Sequence, residues 1–256
     1  MEEKPQVFMA VNHAEANRRT GRFETVELEI TDARLLEDPP QLDREGFTLV
    51  NAPSAVSDFY DPEQIERLYY PECAALLKAQ TGAREVHIFD HTLRVQDDSK
   101  RHAQGTRLPV AIVHNDYTET SAPQRVRDLL EPAKAERFLS GRFAMVNVWR
   151  SFGESAQLCP LAAADGRTMA REDYIAVDIV YPDRTGEIYQ NAYSPGQRWY
   201  YYSHMTRDEA LLLKCYDSAR DGRTRYTAHS GFENPHAPPH TPPRESIELR
   251  TLLAFD

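Results

Sequence analysis

Cysteine is scarce: three residues in 256, Cys73, Cys159 and Cys215, far apart and odd in number. Such a set supplies neither a disulfide framework nor a zinc cluster, so three reduced, mostly buried thiols are expected. No motif places a basic neighbour beside any of them, which sets a catalytic cysteine aside. Long apolar runs are also missing. No uninterrupted stretch approaches the roughly 20 residues that a membrane helix needs, and Met1-Glu-Glu-Lys-Pro lacks the basic and apolar regions of a signal peptide, so no membrane partner and a cytoplasmic location are expected. Positive charge is in deficit, with 30 Lys and Arg against 40 Asp and Glu. The net charge of −10 gives no broad attraction to phosphate backbones, and no nucleic-acid partner is expected.

What is there is an ordinary globular composition, 41% hydrophobic, 27% charged and 10% aromatic, without the bias of a disordered or fibrous chain. This length suffices for one large core, and no composition shift marks a boundary, so residues 1–256 read as a single domain. A homodimer is compatible with it, being the commonest assembly.

Short segments rich in β-branched and aromatic residues dominate, most of them bounded by Gly, Pro, Asp or Asn. They predict strands over 6–12, 25–30, 46–50, 85–95, 109–114, 142–150, 174–181, 187–193, 198–203, 223–229 and 246–254, a mainly β protein. Three helices are predicted. Residues 61–80 carry apolar side chains at roughly helical spacing and stop at Gly82; 123–139 follows Ser121 and ends before Gly141; 207–219 opens on the capping box Thr206-Arg-Asp-Glu209. Tyr181 to Gly186 and Ser194 to Gln197 read as hairpin turns joining consecutive antiparallel strands. The proline-rich stretch from Asn234 to Pro243 reads as an extended loop.

The segment Pro109 to Tyr117 is an apolar strand running into His114-Asn115-Asp116. Strand side chains alternate with period two, so in extended conformation His114 and Asp116 share a face. A second imidazole would complete a facial triad of two His and one carboxylate, the set that leaves coordination positions open for oxygen chemistry at iron(II). Alone, the tripeptide is common, and a strand-end His with a turn-forming Asp would look the same. His229 has the right context among the nine histidines: it closes the segment 223–229, and Arg244-Glu-Ser246 opens the last strand after the proline loop. Arg244 and Ser246 share a face of that strand, and a guanidinium fork beside a hydroxyl suits the distal carboxylate of 2-oxoglutarate. A surface salt bridge is the plain alternative, and Arg250, further along the same face, is the second choice.

With these residues goes a longer series of ordered matches from Leu42 onward. It comprises Leu42-Asp-Arg-Glu-Gly-Phe47, Tyr69-Tyr-Pro-Glu72, Phe89-Asp-His-Thr-Leu-Arg94, Val113-His-Asn-Asp-Tyr117, Asn147-Val-Trp-Arg150, Trp199-Tyr-Tyr-Tyr202, Lys214-Cys-Tyr-Asp-Ser218, His229-Ser-Gly-Phe232 and Pro243-Arg-Glu-Ser-Ile-Glu248. In these the chain resembles the AsaB, NvfI and CmcJ family of oxygenases of secondary-metabolite pathways. The resemblance implies a double-stranded β-helix, the cupin-like jelly roll, with a few flanking helices. It also implies Fe(II), 2-oxoglutarate as cosubstrate, O2, and the hydroxylation, desaturation or cyclisation of a small molecule. Departures at Ala163 to Gly166, where relatives often carry Cys, and at Ser203-His204, where Pro is common, bear on the substrate more than on the chemistry. An iron oxidase that needs no 2-oxoglutarate and an inert small-molecule binder are the rival readings.

Asn147 or Arg150 is expected at the cosubstrate, although their opposite parity on one strand keeps both from facing inward without a bulge. Tyr117, His91, Trp199 and Tyr201 are expected around the substrate. The alternative for His91 is support of the pocket mouth, and for the aromatic residues it is core packing.

Overall fold

The computed structural model describes residues 6–14, 23–154, 156–180 and 185–255, the first segment as backbone. Two sheets face each other. The larger runs, in spatial order, β1 (Gln6–Ala14), β2 (Phe23–Asp32), β10 (Trp199–Tyr201), β7 (Leu161–Ala164), β12 (His229–Gly231), β5 (His114–Asn115), β9 (Thr185–Asn191) and β8 (Tyr174–Val180). The smaller runs β3 (Phe47–Asn51), β11 (Glu209–Asp217), β6 (Phe143–Ser151), β13 (Glu245–Ala254) and β4 (Glu85–Val95). Among the described residues, neighbouring strands are antiparallel except β2 with β10. The architecture is the mainly β jelly roll that the resemblance implies.

Period-two alternation divides the apolar residues into layers. Along β6, Met145 and Trp149 face the space between the sheets, while Ala144, Val146 and Val148 face outward beneath α2 (Tyr70–Thr81), where Tyr69, Cys73 and Leu77 cover them. A third cluster, with Ile30, Ala162, Ala164, Trp199 and Phe232, covers the outer face of the larger sheet. All three cysteines are buried and free, and burial pushes the Cys73 thiol up to about 12. No helix among the described residues is long and apolar enough to cross a membrane.

Several elements differ from the sequence expectation. Residues 207–219 form no helix: Glu209–Asp217 is strand β11, held between β3 and β6. The capping hydrogen bond is made, from the Thr206 N–H to Glu209 Oε2 at 2.9 Å, but it closes a turn. Beyond that turn Ala210-Leu-Leu-Leu213 is buried on both faces, which a central strand satisfies and a one-sided helix does not. The predicted helix 123–139 is two, α4 (Ser121–Leu129) and α5 (Pro132–Ser140), because Pro132 disfavours helical backbone at Glu131 and Leu130 is extended. The predicted helix 61–80 begins with α1 (Pro62–Gln64), widens into a π turn over Ile65–Tyr69, and continues as α2.

Helix α3 (Asp98–Gln104) lies in no predicted segment; it has an Asp97 cap and a left-handed Gly105 stop but buries nothing, so it carries no apolar period. The predicted strands 109–114 and 223–229 join the ladder only at their ends, in β5 and β12. Of the hairpins, β8 and β9 do pair, with the turn residues 181–184 outside the described residues. The second is not a hairpin, since β10 leaves β9 to pair with β2 and β7.

Leu212 is 0% exposed in the layer beneath α2. Leu212→Ala is therefore expected to cost about 2–5 kcal/mol. Urea unfolding should show it, while iron loading at the far side of the sheet stays unchanged.

Candidate active site

The site begins where three strands of the larger sheet meet. His229 opens β12 and lies opposite His114 of β5, so the two imidazoles sit side by side with ring centroids 4.6 Å apart. Asp116 follows two residues beyond His114 on the same face, with Oδ1 3.5 Å from His114 Nε2. The ligand atoms of His114, Asp116 and His229 all lie within 4.8 Å of one another.

Hydrogen bonds fix which atoms are offered. His114 Nδ1 bonds the Ile112 carbonyl at 2.8 Å and His229 Nδ1 bonds the Thr227 carbonyl at 2.9 Å, which leaves both Nε2 atoms facing each other and the carboxylate. Such outer bonds set the tautomer and orientation of metal-binding imidazoles. Burial, and then the neighbouring His229, push the His114 pKa down to about 4, so its neutral, ligating form prevails at neutral pH. For Asp116, burial opposes ionisation, but Arg250, His114, His229 and the Asn147 amide together hold its carboxyl below the usual range. Two imidazoles offering their Nε2 atoms beside a carboxylate are a donor set for a first-row divalent ion such as Fe(II).

The other sheet holds Asp116 in place. Its Oδ2 accepts from Asn147 Nδ2 at 2.7 Å and from Arg250 Nε at 3.2 Å, leaving Oδ1 toward the imidazoles. Asn147 also donates to Glu248 Oε1 at 3.0 Å, and Glu248 Oε2 lies 3.3 Å from Arg250. Asn147→Ala would leave Asp116 Oδ2 held by Arg250 alone, and a loss of roughly 10–100-fold in iron affinity is expected, measurable by equilibrium dialysis. A bulge in β4 contributes as well: Arg250 pairs with Asp90 but Thr251 with Ile88, so Phe89 is an extra residue. Before it, Val86 and Ile88 pack under α2; after it, Leu93 does, and Asp90, Thr92 and Arg94 turn toward the site.

Two cavities adjoin the triad. A small one, about 20 Å³, is lined by His114, His229, Arg94, Trp149, Arg244 and Glu248. Arg244 is 1% exposed, with its guanidinium carbon 5.2 Å from the centroid of the Trp149 ring. Its Nε donates to Ser246 Oγ at 3.1 Å and its Nη1 to the Cys159 carbonyl at 2.9 Å, yet no carboxylate of the described residues pairs with it. Gly231 allows this seat: a Cβ there would lie 3.2 Å from Arg244 Nη1 and 3.1 Å from the Val110 carbonyl oxygen. A buried cation without a counter-charge is costly unless a ligand supplies one. The larger cavity, about 770 Å³, is lined by Phe89, Val110, Ile112, Tyr117, Arg125 and Ile188 among others, and shares His114 and Arg94 with the first.

The structure thus brings together His114, Asp116, His229, Asn147, Arg244, Ser246 and Tyr117. Four expected residues lie elsewhere. Arg150 faces the opposite side of β6 from Asn147, where it donates to the Tyr69 hydroxyl and to the Ala52 and Arg207 carbonyls. His91 lies on the α2 side of β4 and is bonded to the Tyr70 hydroxyl at 2.7 Å. Trp199 and Tyr201, paired with Ala164 and Ala162, point to the outer face of the larger sheet and pack in its cluster. Core packing is their role. Arg250, the second choice for the cosubstrate, bonds Asp116 instead. Glu248 escaped the sequence reading although it ends the matched segment Pro243 to Glu248 and shares the face of Arg244 and Ser246; the Cys159 carbonyl is a backbone group with no side-chain signal.

A jelly roll bearing two imidazoles and a carboxylate at adjoining strand ends defines a non-haem iron oxygenase by its class. A family model described as an oxidoreductase/YMDC permease-like domain matches residues 1–254. The hydroxylase/desaturase efuI of Hormonema carpetanum is 31% identical over 96% of this chain and 89% of its own. The Fe(II)/2-oxoglutarate-dependent dioxygenase nvfI of Aspergillus novofumigatus is 34% identical over 87% of this chain and 81% of its own. A solved structure of the iron and alpha-ketoglutarate-dependent endoperoxidase NvfI superposes with a TM-score of 0.81 at 30% identity, covering 98% of this chain and 97% of that one. The chain belongs to the AsaB, NvfI and CmcJ family of Fe(II)/2-oxoglutarate-dependent oxygenases.

Proposed function

We propose that this chain oxidises a C–H bond of a small natural-product substrate at Fe(II) held by His114, Asp116 and His229, with 2-oxoglutarate and O2 consumed. The observation that carries the reading is Arg244, a buried guanidinium without a carboxylate partner, in a cavity shared with both imidazoles. Bound Fe(II) with 2-oxoglutarate and O2 supplies the oxidative decarboxylation to succinate and carbon dioxide, coupled to removal of hydrogen from the substrate. The chain's residues orient the reactants. Arg244, fixed by Ser246, takes the distal carboxylate; Asn147 and Arg250 hold Asp116; Phe89, Val110, Ile112 and Tyr117 line the space for the substrate.

Anaerobic reconstitution with Fe(II) and 2-oxoglutarate, followed by oxygen and a panel of small molecules, tests this. Succinate release that rises with a panel member is the expected result. Substrate oxidation without succinate would instead select an iron oxidase that needs no 2-oxoglutarate.

A further inference from the structure

Four arginines line the larger cavity, Arg94, Arg107, Arg125 and Arg250, and among the described residues only Arg250 is ion-paired. Arg250 is engaged by Asp116, Glu248 and Asp90. Arg125 is not. It projects from α4 into the same cavity, half-buried, with its guanidinium carbon 5.3 Å from the centroid of the Phe89 ring and no carboxylate of the described residues bonded to it. Tyr117, directly after Asp116, lines that cavity too, and its hydroxyl has no hydrogen-bond partner among the described residues. The nearby acids are not poised to take Arg125. Glu187 accepts the Thr118 hydroxyl, Asp128 accepts the Gln124 amide at 2.8 Å, and Asp178 is exposed.

We propose that the substrate is a carboxylic acid, its carboxylate held by the Arg125 guanidinium and the Tyr117 hydroxyl while its skeleton reaches toward His114 and Asp116. This deepens, and rests on, the oxygenase reading of the same site. A guanidinium fork and a hydroxyl are matched to a carboxylate. The Phe89 ring holds the fork by a cation–π contact before any ligand arrives, which reduces the ordering cost of binding. A space of about 770 Å³ takes a molecule far larger than 2-oxoglutarate.

Enzyme loaded with Fe(II) and saturating 2-oxoglutarate, kept anaerobic, is titrated calorimetrically with aromatic and alicyclic monocarboxylic acids. Each acid is paired with its methyl ester and with the amine of the same skeleton. Saturating 2-oxoglutarate keeps the acids from Arg244. An acid is expected to bind at least about tenfold more tightly than its ester or amine, the factor a charge-assisted hydrogen bond supplies. Arg125→Met removes that advantage, weakening the acid far more than the ester; Arg125→Lys keeps part of it; Tyr117→Phe narrows it. Equal binding across the set, preference for ester or amine, no acid binding, or an acid advantage that survives Arg125→Met overturns the proposal. The visible charge-transfer band of bound Fe(II) and 2-oxoglutarate is recorded in the same samples. Its absence from the unsubstituted enzyme counts against the oxygenase reading alone, since the acid-to-ester comparison and its loss in Arg125→Met are read without it.

Discussion

Asp116→Ala is expected to leave the fold intact while nearly abolishing iron binding and turnover. The carboxylate is the one anionic ligand in the triad; without it two neutral imidazoles face a dication. The loss should exceed the roughly 10–100-fold that removing an outer hydrogen-bond partner costs. The fold should survive because Arg250 keeps Asp90 and Glu248 as partners when Asp116 is gone. Metal analysis after dialysis against Fe(II), with circular dichroism on the same sample, separates the two effects. Ordinary iron loading with full turnover would refute the assignment of Asp116.

The second large effect is expected at Arg244. Arg244→Lys keeps the charge and loses the fork, so the KM for 2-oxoglutarate should rise by roughly 10–150-fold, the worth of a charge-assisted bond of about 1.5–3 kcal/mol. Iron loading should change little, because Arg244 bonds Ser246 and Cys159 and none of the three metal-site side chains. Arg250→Lys is the comparison and should do the reverse, weakening iron retention through Asp116. If only Arg250→Lys raised the cosubstrate requirement, the roles of these two residues on β13 would be exchanged.

How far the sequence anticipates this site depends on how local each signal is. His114 and Asp116 are legible because strand period alone puts them on one face, and Arg244 with Ser246 for the same reason. The partners of Asp116 are not, because Asn147 and Arg250 reach it from strands of the other sheet. Alternation tells that Trp199 and Tyr201 share a face, but not which one; their pairing with Ala164 and Ala162 decides it. The same rule separates Asn147 from Arg150, and only the packing of Arg150 against Tyr69 shows which is turned away. In β11 a locally correct cap misleads, because burial on both faces decides the conformation of the three leucines that follow.

The extra residue at Phe89 makes β4 two half-strands in opposite phase, and its tolerance of change should follow that division. Positions 86 and 88 before the bulge, and 91 and 93 after it, belong to the packed layer under α2, where Val86, Ile88 and Leu93 are apolar and His91 is tied to Tyr70. Positions 90 and 94 line the pocket, with Thr92 bonding Arg250 between them, so 90 and 94 can be varied to reshape specificity with little repacking of the layer behind them. An alignment read by simple alternation through the whole strand would reverse the two sets in one half.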